Sequence, residues 1–194
     1  ELSVSRGISN RILRKTGSIL LILFVCLSVQ SHVSYTYFDQ GSRFKKIYSV
    51  DHLFLRGIYT SQKRASVSQE VLSALDRYVS EGDYTLIYDN SPMLHYLTQT
   101  KPYAYNPWLY LYDKDLLQEA LSRAGRERQA LPVVVLQKFK GLWIDWPDGY
   151  SDDYMANDAN KGKNLLINRF LHKNKYLKIW TNGYYEIWLP KYEK

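Results

Sequence analysis

The four-residue stretch Asp89-Asn90-Ser91-Pro92 is the first place where polar side chains are spaced for ligand contact. It follows the run 84–88, whose β-branched and aromatic residues predict a buried strand, and Pro92 suits the first turn of a helix. Ligands of open α/β sheets bind at this carboxyl edge of the strands. Asp89, Asn90 and Ser91 are therefore candidate ligand contacts. The alternative is that Asp89 or Ser91 only caps the helix that follows.

The second candidate is the aromatic run 103–113, which places Tyr105 and Trp108 beside amide and carboxylate side chains. Aromatic faces next to such groups are typical of surfaces that stack sugar rings and bind their hydroxyls. The same residues could instead pack against a sheet, with tyrosine hydroxyls reaching solvent. They could also rest at a bilayer interface. Tyr105 and Trp108 are the stacking candidates.

The third candidate is the loop 143–153, where Trp143, Asp145 and Trp146 precede three further aspartates. Carboxylates at this spacing could hold a hard cation, but their order does not match an EF-hand. Two of them could serve glycoside hydrolysis if their separation were suitable. A solvated acidic loop is the third interpretation. Trp143, Asp145 and Trp146 are kept as candidate ligand or partner contacts.

Several classes of function are disfavoured by what the sequence lacks. Cys26 is the only cysteine, and the four histidines lack the paired spacing of a metal site. No glycine-rich phosphate loop of either common type is present. The net charge is +7, but the basic residues form no stripe, which disfavours nucleic acid. The sequence therefore predicts no metal, no cofactor and no recognisable catalytic pair in this chain.

Hydrophobic periodicity predicts the elements that position these residues. Strands are expected at 84–88, 132–137, 177–181 and 184–189, and helices at 66–81, 92–97, 114–124 and 164–173. Ser66 is the predicted N-cap of the first long helix, and Asp113 and Gly125 are the predicted start and end of the second. Asn182-Gly183 between the last two strands predicts a hairpin. The predicted fold is α/β, with a small mixed, largely parallel sheet flanked by helices. Its predicted core residues are Leu86, Leu121, Val133, Val135 and Phe170.

The first forty residues differ from the rest of the chain. Residues 16–38 contain no Asp, Glu, Lys or Arg and are long enough, as a helix, to span a hydrocarbon core. Basic residues precede this run and aromatic residues end it, as at membrane interfaces. The predicted organisation is a basic cytoplasmic flank (1–15), a transmembrane helix (16–38), a linker (39–60) and an extracytoplasmic domain (61–194). A signal peptide and a buried core helix are the alternatives.

Several short sequence motifs in the second part of the chain resemble those of a known domain type. They are Arg56-Gly-Ile-Tyr-Thr60, Tyr78 to Thr98, Lys101-Pro-Tyr103, Asn106-Pro-Trp108, Leu131 to Val135, Gln137-Lys-Phe139 and Tyr185-Glu-Ile187. Together they resemble the C-terminal extracytoplasmic domain of bacterial polytopic membrane glycosyltransferases that use lipid-linked sugar donors, of the dolichyl-phosphate-mannose mannosyltransferase-like type. The hydrophobic run before them is similar to the last membrane helix of such a protein.

The resemblance implies a non-catalytic accessory domain that covers a membrane-embedded active site in envelope glycan assembly. The implied partners are the lipid bilayer, upstream membrane helices of the same parent protein, and a glycan or lipid-linked sugar. Catalytic acidic residues of that family lie on an early loop, so no position here inherits their role. The alternatives are a stand-alone membrane-anchored glycan-binding protein and a glycoside hydrolase using the loop 145–153.

Overall fold

The computed structural model describes residues 2–34, 42–88, 90–139 and 161–191, with side chains from residue 13 onward. Within these ranges the chain divides into two compact units, residues 1–46 and residues 47–194. Every residue of the two hydrophobic core clusters lies between Val50 and Ile187. The second unit therefore has a complete core of its own.

The first unit contains a single long helix, α1 (Leu2–Ser34). Its segment Leu13–Ser34 has 22 residues and a mean hydropathy of 1.8, and its most apolar window is 0% buried. At about 1.5 Å per residue this segment is long enough to cross a hydrocarbon core of about 30 Å. The prediction of one apolar helix of membrane-spanning length is confirmed, and exposure of the window contradicts the alternative of a buried core helix. The aromatic residues predicted to end the span, from Tyr35 to Phe38, lie outside the described residues.

The second unit is built on a five-stranded sheet. Its strands are β1 (Tyr84–Tyr88), β2 (Lys101–Pro102), β3 (Val133–Gln137), β4 (Tyr176–Thr181) and β5 (Tyr185–Pro190), in the order β2-β1-β3-β5-β4. Strands β2, β1 and β3 are parallel, whereas β5 is antiparallel to both β3 and β4. The predicted mixed sheet, parallel at its centre and ending in a hairpin, is confirmed.

The hairpin turn follows from its two central residues. Gly183 has φ of +83°, a conformation that favours glycine. Asn182 Oδ1 accepts hydrogen bonds from the backbone N–H groups of Tyr184 and Tyr185, at 3.1 and 2.9 Å. The side chain of Asn182 therefore stabilises the reversal, as an Asn-Gly pair at this place predicts.

Helices cover both faces of the sheet. They are α2 (Gln62–Leu75) and α3 (Met93–Leu97) on one face, and α4 (Lys114–Glu127) and α5 (Lys161–Lys173) on the other. Successive residues of the central strands alternate between the two cores: Ile87 and Val135 pack with α2 and α3, whereas Leu86 and Val134 pack with α4 and α5. This explains why the central strands are apolar at every position rather than at every second one.

The helices differ from their predicted boundaries, and α5 begins at Lys161 rather than at 164. Helix α2 begins after Ser61 and ends at Leu75, so Ser66 is not its N-cap, as the pattern had indicated. Helix α4 is capped by Asp113 as predicted but continues through Gly125 to Glu127. A glycine near the end of a helix stops it only where the backbone turns left-handed, and Gly125 keeps its helical conformation.

The predicted core is correct at its centre and wrong at its margins. Leu86, Val135 and Leu121 are buried, whereas Val133 and Phe170 are only partly buried. On α5, Leu165 is half exposed, whereas Leu166 and Ile167 are buried. Strand β2 was not predicted, since two residues carry no periodic signal.

The segment 47–60, predicted as linker, belongs to the second unit. Tyr48 and Thr60 form an isolated antiparallel bridge, and Val50 is buried in the core beneath α2 and α3. Two short 3-10 turns, Arg43–Lys45 and Leu53–Leu55, precede and interrupt it. We call residues 47–60 the entry loop.

Candidate functional site

A cluster of uncharged polar side chains lies at the carboxyl ends of β1 and β3. Ser91 Oγ donates a hydrogen bond to Gln137 Oε1 and lies 3.0 Å from the Tyr185 hydroxyl. Gln137 Nε2 donates to the Phe139 carbonyl oxygen at 2.6 Å. Since the Ser91 proton is used on Gln137, the Tyr185 hydroxyl is the donor to Ser91. This chain of hydrogen bonds fixes the orientation of all three side chains.

These three side chains line a pocket with a volume of about 280 Å³. Its apolar wall comes from α2, α3 and the entry loop, and Asn90 and Ser68 add further polar groups. No Asp, Glu, Lys, Arg or His is among the described residues that line it: Leu55, Ser68, Val71, Leu72, Asn90, Ser91, Pro92, Met93, Leu94, Leu97, Gln137, Phe139 and Tyr185. The pocket therefore offers hydrogen bonds and apolar contact, but no charge from these residues.

Burial keeps the tyrosine of this cluster neutral. Desolvation by burial raises the pKa of Tyr185 to about 12. The hydroxyl is thus protonated at any physiological pH and acts as a hydrogen-bond donor and acceptor, not as a base. The arrangement can bind a polar ligand, but it has no group suited to proton abstraction at neutral pH.

The topology of the sheet explains why a pocket forms at this place. Strands β1 and β3 are neighbours and parallel, but the chain leaves β1 for α3 on one face and β3 for α5 on the other. A crevice opens where the connections of adjacent strands diverge in this way, and α/β folds commonly bind ligands there. A pocket therefore lies at the predicted ligand edge.

Ser91 does not cap the following helix. The residue at the N-cap of α3 is Pro92, which provides no side-chain cap, and the Ser91 hydroxyl is bound to Gln137 and Tyr185 instead. The capping alternative is therefore wrong for Ser91. Asn90 lines the same pocket, whereas Asp89 lies outside the described residues.

Tyr105 lies at the opposite edge of the sheet from Ser91. Its hydroxyl donates to Glu127 at the end of α4, and the Arg128 guanidinium lies 4.7 Å from its ring centroid. The same guanidinium stacks 3.7 Å from the ring of Tyr84, the first residue of β1. The structure therefore does not bring Tyr105 and Ser91 into one surface, because Arg128 holds Tyr105 beside the amino end of β1, whereas Ser91 follows its carboxyl end.

Trp108 is half exposed and precedes a short 3-10 turn, Leu109–Leu111. Its backbone N–H donates to Asn106 Oδ1 at 2.8 Å, which closes a local turn. The packing interpretation of this run is correct for Tyr103 and Leu109, which are buried in the core, but not for Trp108. Trp143, Asp145 and Trp146, the candidates of the acidic loop, lie outside the described residues.

Two other buried polar groups serve the fold rather than a pocket. His95 Nδ1 lies 3.0 Å from Thr85 Oγ1, which is 2.8 Å from Thr100 Oγ1. Burial lowers the pKa of His95 to about 4, so its imidazole is neutral. On the other face, buried Glu186 is bonded to Lys178 at 3.3 Å and to Trp188 Nε1 at 3.0 Å. Both arrangements satisfy buried polar atoms within the domain.

Gln137 and Tyr185 were not found by sequence reasoning. Gln137 ends a strand that is otherwise apolar, and a lone polar residue at a carboxyl strand end is a signal that could have found it. Tyr185 had no such signal, because only the antiparallel pairing of β5 with β3 places it opposite Gln137. Within the described part of the chain, no group of three or more His, Cys, Asp or Glu side chains could hold a metal ion.

The fold and site define a three-layer α/β domain, preceded along the chain by one apolar helix, with a pocket at a carboxyl edge whose described lining residues are uncharged. No known family model, curated protein or solved structure matches this chain. The function is therefore argued from the residues of the site itself.

Proposed function

We propose that this chain is a membrane-anchored, non-catalytic accessory domain of a glycosyltransferase in envelope glycan assembly, and that its pocket binds one uncharged sugar unit. The observation that carries the proposal is the neutral cluster of Ser91, Gln137 and Tyr185 in a pocket without charged lining among the described residues. The helix α1 supports the membrane anchor through its length and composition.

The hydrogen-bonding capacity left in the cluster suits a hydroxyl group. Ser91 and Tyr185 retain acceptor lone pairs, and Gln137 Nε2 has a second N–H after its bond to Phe139. A sugar hydroxyl both donates and accepts, so it can use both kinds of site. A carboxylate or phosphate only accepts, and burying its charge without a cation would cost several kcal/mol.

The size and apolar wall of the pocket favour a single ring. Small-molecule pockets in proteins range from about 300 to 1,000 Å³, so this pocket is at the small end. The Phe139 and Tyr185 rings pack edge to face at a centroid distance of 5.4 Å and form part of the wall. An aromatic and aliphatic wall can receive the apolar face of a pyranose while its hydroxyls meet Ser91 and Gln137.

The glycosyltransferase assignment is supported by the resemblance described above. The described residues of the pocket provide hydrogen bonds and apolar contact, which suit a domain that holds a sugar unit. A stand-alone anchored glycan-binding protein is the second candidate, favoured by the complete core of residues 47–194. An open reading frame extending upstream with many apolar spans would separate the first candidate from the second.

Saturation-transfer NMR on the full chain in nonionic detergent tests sugar binding directly. We expect methyl hexopyranosides to receive saturation, and glucuronate and glucose 6-phosphate to receive none. Ser91→Ala should weaken binding about two- to tenfold, since one hydrogen bond contributes about 0.5–1.5 kcal/mol. Ser66→Ala is the matched control, because Ser66 is exposed on α2 and bonded only to Glu70.

Three results would contradict this proposal. Equal binding by the parent and Ser91→Ala proteins would place the ligand elsewhere. Preferential binding of the anionic sugars would show that the pocket is not the neutral site described here. Sugar transfer or glycoside cleavage by the purified chain would contradict the accessory role.

A further inference from the structure

The entry loop exposes more apolar surface than a solvated loop needs. Leu53 is 64% exposed and Ile58 is 56% exposed, and neither packs in a described core cluster. Their neighbours on the loop that are also exposed are Ile47, Tyr48, Phe54 and Tyr59. Contiguous exposed apolar residues of this kind mark interaction surfaces rather than ordinary protein surface.

Helix α3 extends this surface beyond the loop. The Phe54 ring lies 5.0 Å from the Tyr96 ring, centroid to centroid, and Tyr96 is 55% exposed. Met93, one turn before Tyr96 on the same helix, is 58% exposed. We call the exposed apolar residues of the entry loop, together with Met93 and Tyr96, the apolar patch.

The charges around the entry loop are almost all positive. Residues 42–64 contain six Lys or Arg and a single Asp, Asp51. Arg56 lies within the loop between Leu55 and Gly57, and Arg43 and Lys45 lie on the 3-10 turn before it. Apolar and aromatic residues interspersed with cations are the composition of segments that rest in the headgroup region of a bilayer.

We propose that the apolar patch is a second membrane-contact surface besides α1, which lies in the interface of an anionic lipid bilayer. Phe54, Tyr96 and Tyr59 would sit at headgroup level with Leu53 and Ile58 below them, and Arg56 would pair with lipid phosphates. Along the chain only residues 35–46 separate the end of α1 from the entry loop, so an α1 in lipid would keep the loop within reach of the bilayer. Leu55 and Met93 also line the sugar pocket, so the pocket borders this surface.

Spin labels on the full chain in lipid vesicles test the inference. A label on the native Cys26 reports whether α1 is in lipid, and with Cys26→Ser a single label at Ile58→Cys or Leu53→Cys reports the patch. Leu177→Cys is the matched control, because Leu177 is 53% exposed but lies on the edge strand β4. Oxygen partitions into lipid and a nickel chelate into water, so their relative broadening measures depth.

We expect labels at Ile58 and Leu53 to favour oxygen several-fold over the label at Leu177 in vesicles of phosphatidylcholine with phosphatidylglycerol. Immersion should be smaller in pure phosphatidylcholine, because Arg56 and the preceding cations lose their anionic partners. Equal immersion in the two vesicles would overturn the role given to the cations.

Two further outcomes would overturn the proposal itself. If the labels at Ile58 and Leu53 are as accessible to the nickel chelate as the label at Leu177, the patch faces water. Labels shielded from both reagents would show that it contacts protein, either a partner or a second copy. The Cys26 label separates these outcomes from failure of the membrane anchor, since it reports α1 alone.

Discussion

The buried histidine of α3 predicts a specific loss of stability in mild acid. His95 is 6% exposed and is bonded to Thr85 and Thr100 within the core. Burial lowers its pKa from 6.5 to about 4. Between these two values the unfolded chain binds a proton at this residue and the folded chain does not. The free energy of unfolding therefore falls as the pH falls from about 6.5 to about 4.

The size of the effect follows from the two pKa values. The shift of about 2.5 units corresponds to about 3 kcal/mol when the pH reaches about 4, and to about 2 kcal/mol at about pH 5. A domain is stable by only about 5–15 kcal/mol, so this loss is large enough to measure. No stability is lost through this residue above about pH 6.5, where both states are neutral.

Chemical unfolding of the full chain in nonionic detergent, at about pH 7.5 and about pH 5, gives the two free energies. His95→Asn keeps a polar atom near the Nδ1 position and removes the titration, so it should lose about 2 kcal/mol less than the parent between these pH values. His172→Gln, at an exposed histidine on α5, is the matched control and should behave as the parent. A parent protein and His95→Asn protein with the same pH dependence would refute the argument that His95 is neutral in the core.

Three other outcomes follow from the same structure. Val134→Asp should prevent folding, because Val134 is buried in the central strand and an unpaired buried charge costs several kcal/mol. The control Leu177→Asp, on the exposed edge strand, should fold. A Val134→Asp protein that circular dichroism shows to be folded would mean that the sheet is misplaced. Arg128→Met should destabilise the domain by about 1–2 kcal/mol, because the Arg128 guanidinium lies 3.7 Å from the centroid of the Tyr84 ring. A double-mutant cycle with Tyr84→Leu should show that the free energies of the two substitutions are coupled. Zero coupling would exclude a cation–π contribution. Residues 47–194 expressed alone should stay monodisperse in size-exclusion chromatography with less detergent than the full chain. A detergent requirement equal to that of the full chain would contradict the proposal that α1 is the membrane anchor.

Local pattern determined the elements of this fold and several of their ends. Continuous apolar runs predicted β1 and β3 correctly because both faces of these strands are covered, and Asn182-Gly183 predicted the hairpin through its own backbone chemistry. Asp113 predicted the start of α4, where its carboxylate accepts the Leu116 N–H at 2.8 Å. The apolar segment of α1 could also be predicted from the sequence, since length and composition alone decide whether a helix is able to cross a membrane.

Tertiary pairing decided the site, and no local signal could replace it. The sequence placed Asn90 and Ser91 at a ligand edge, but the partners of Ser91 come from residues 46 and 94 positions later in the chain. Gln137 and Tyr185 meet there only because β5 pairs antiparallel with β3 in one register. Tyr105 lies away from that edge, beside Arg128, whose contacts with the Tyr84, Tyr103 and Tyr105 rings depend on where α4 ends. Short-range periodicity fixes which face a residue occupies, whereas register and helix ends fix which distant residue it meets.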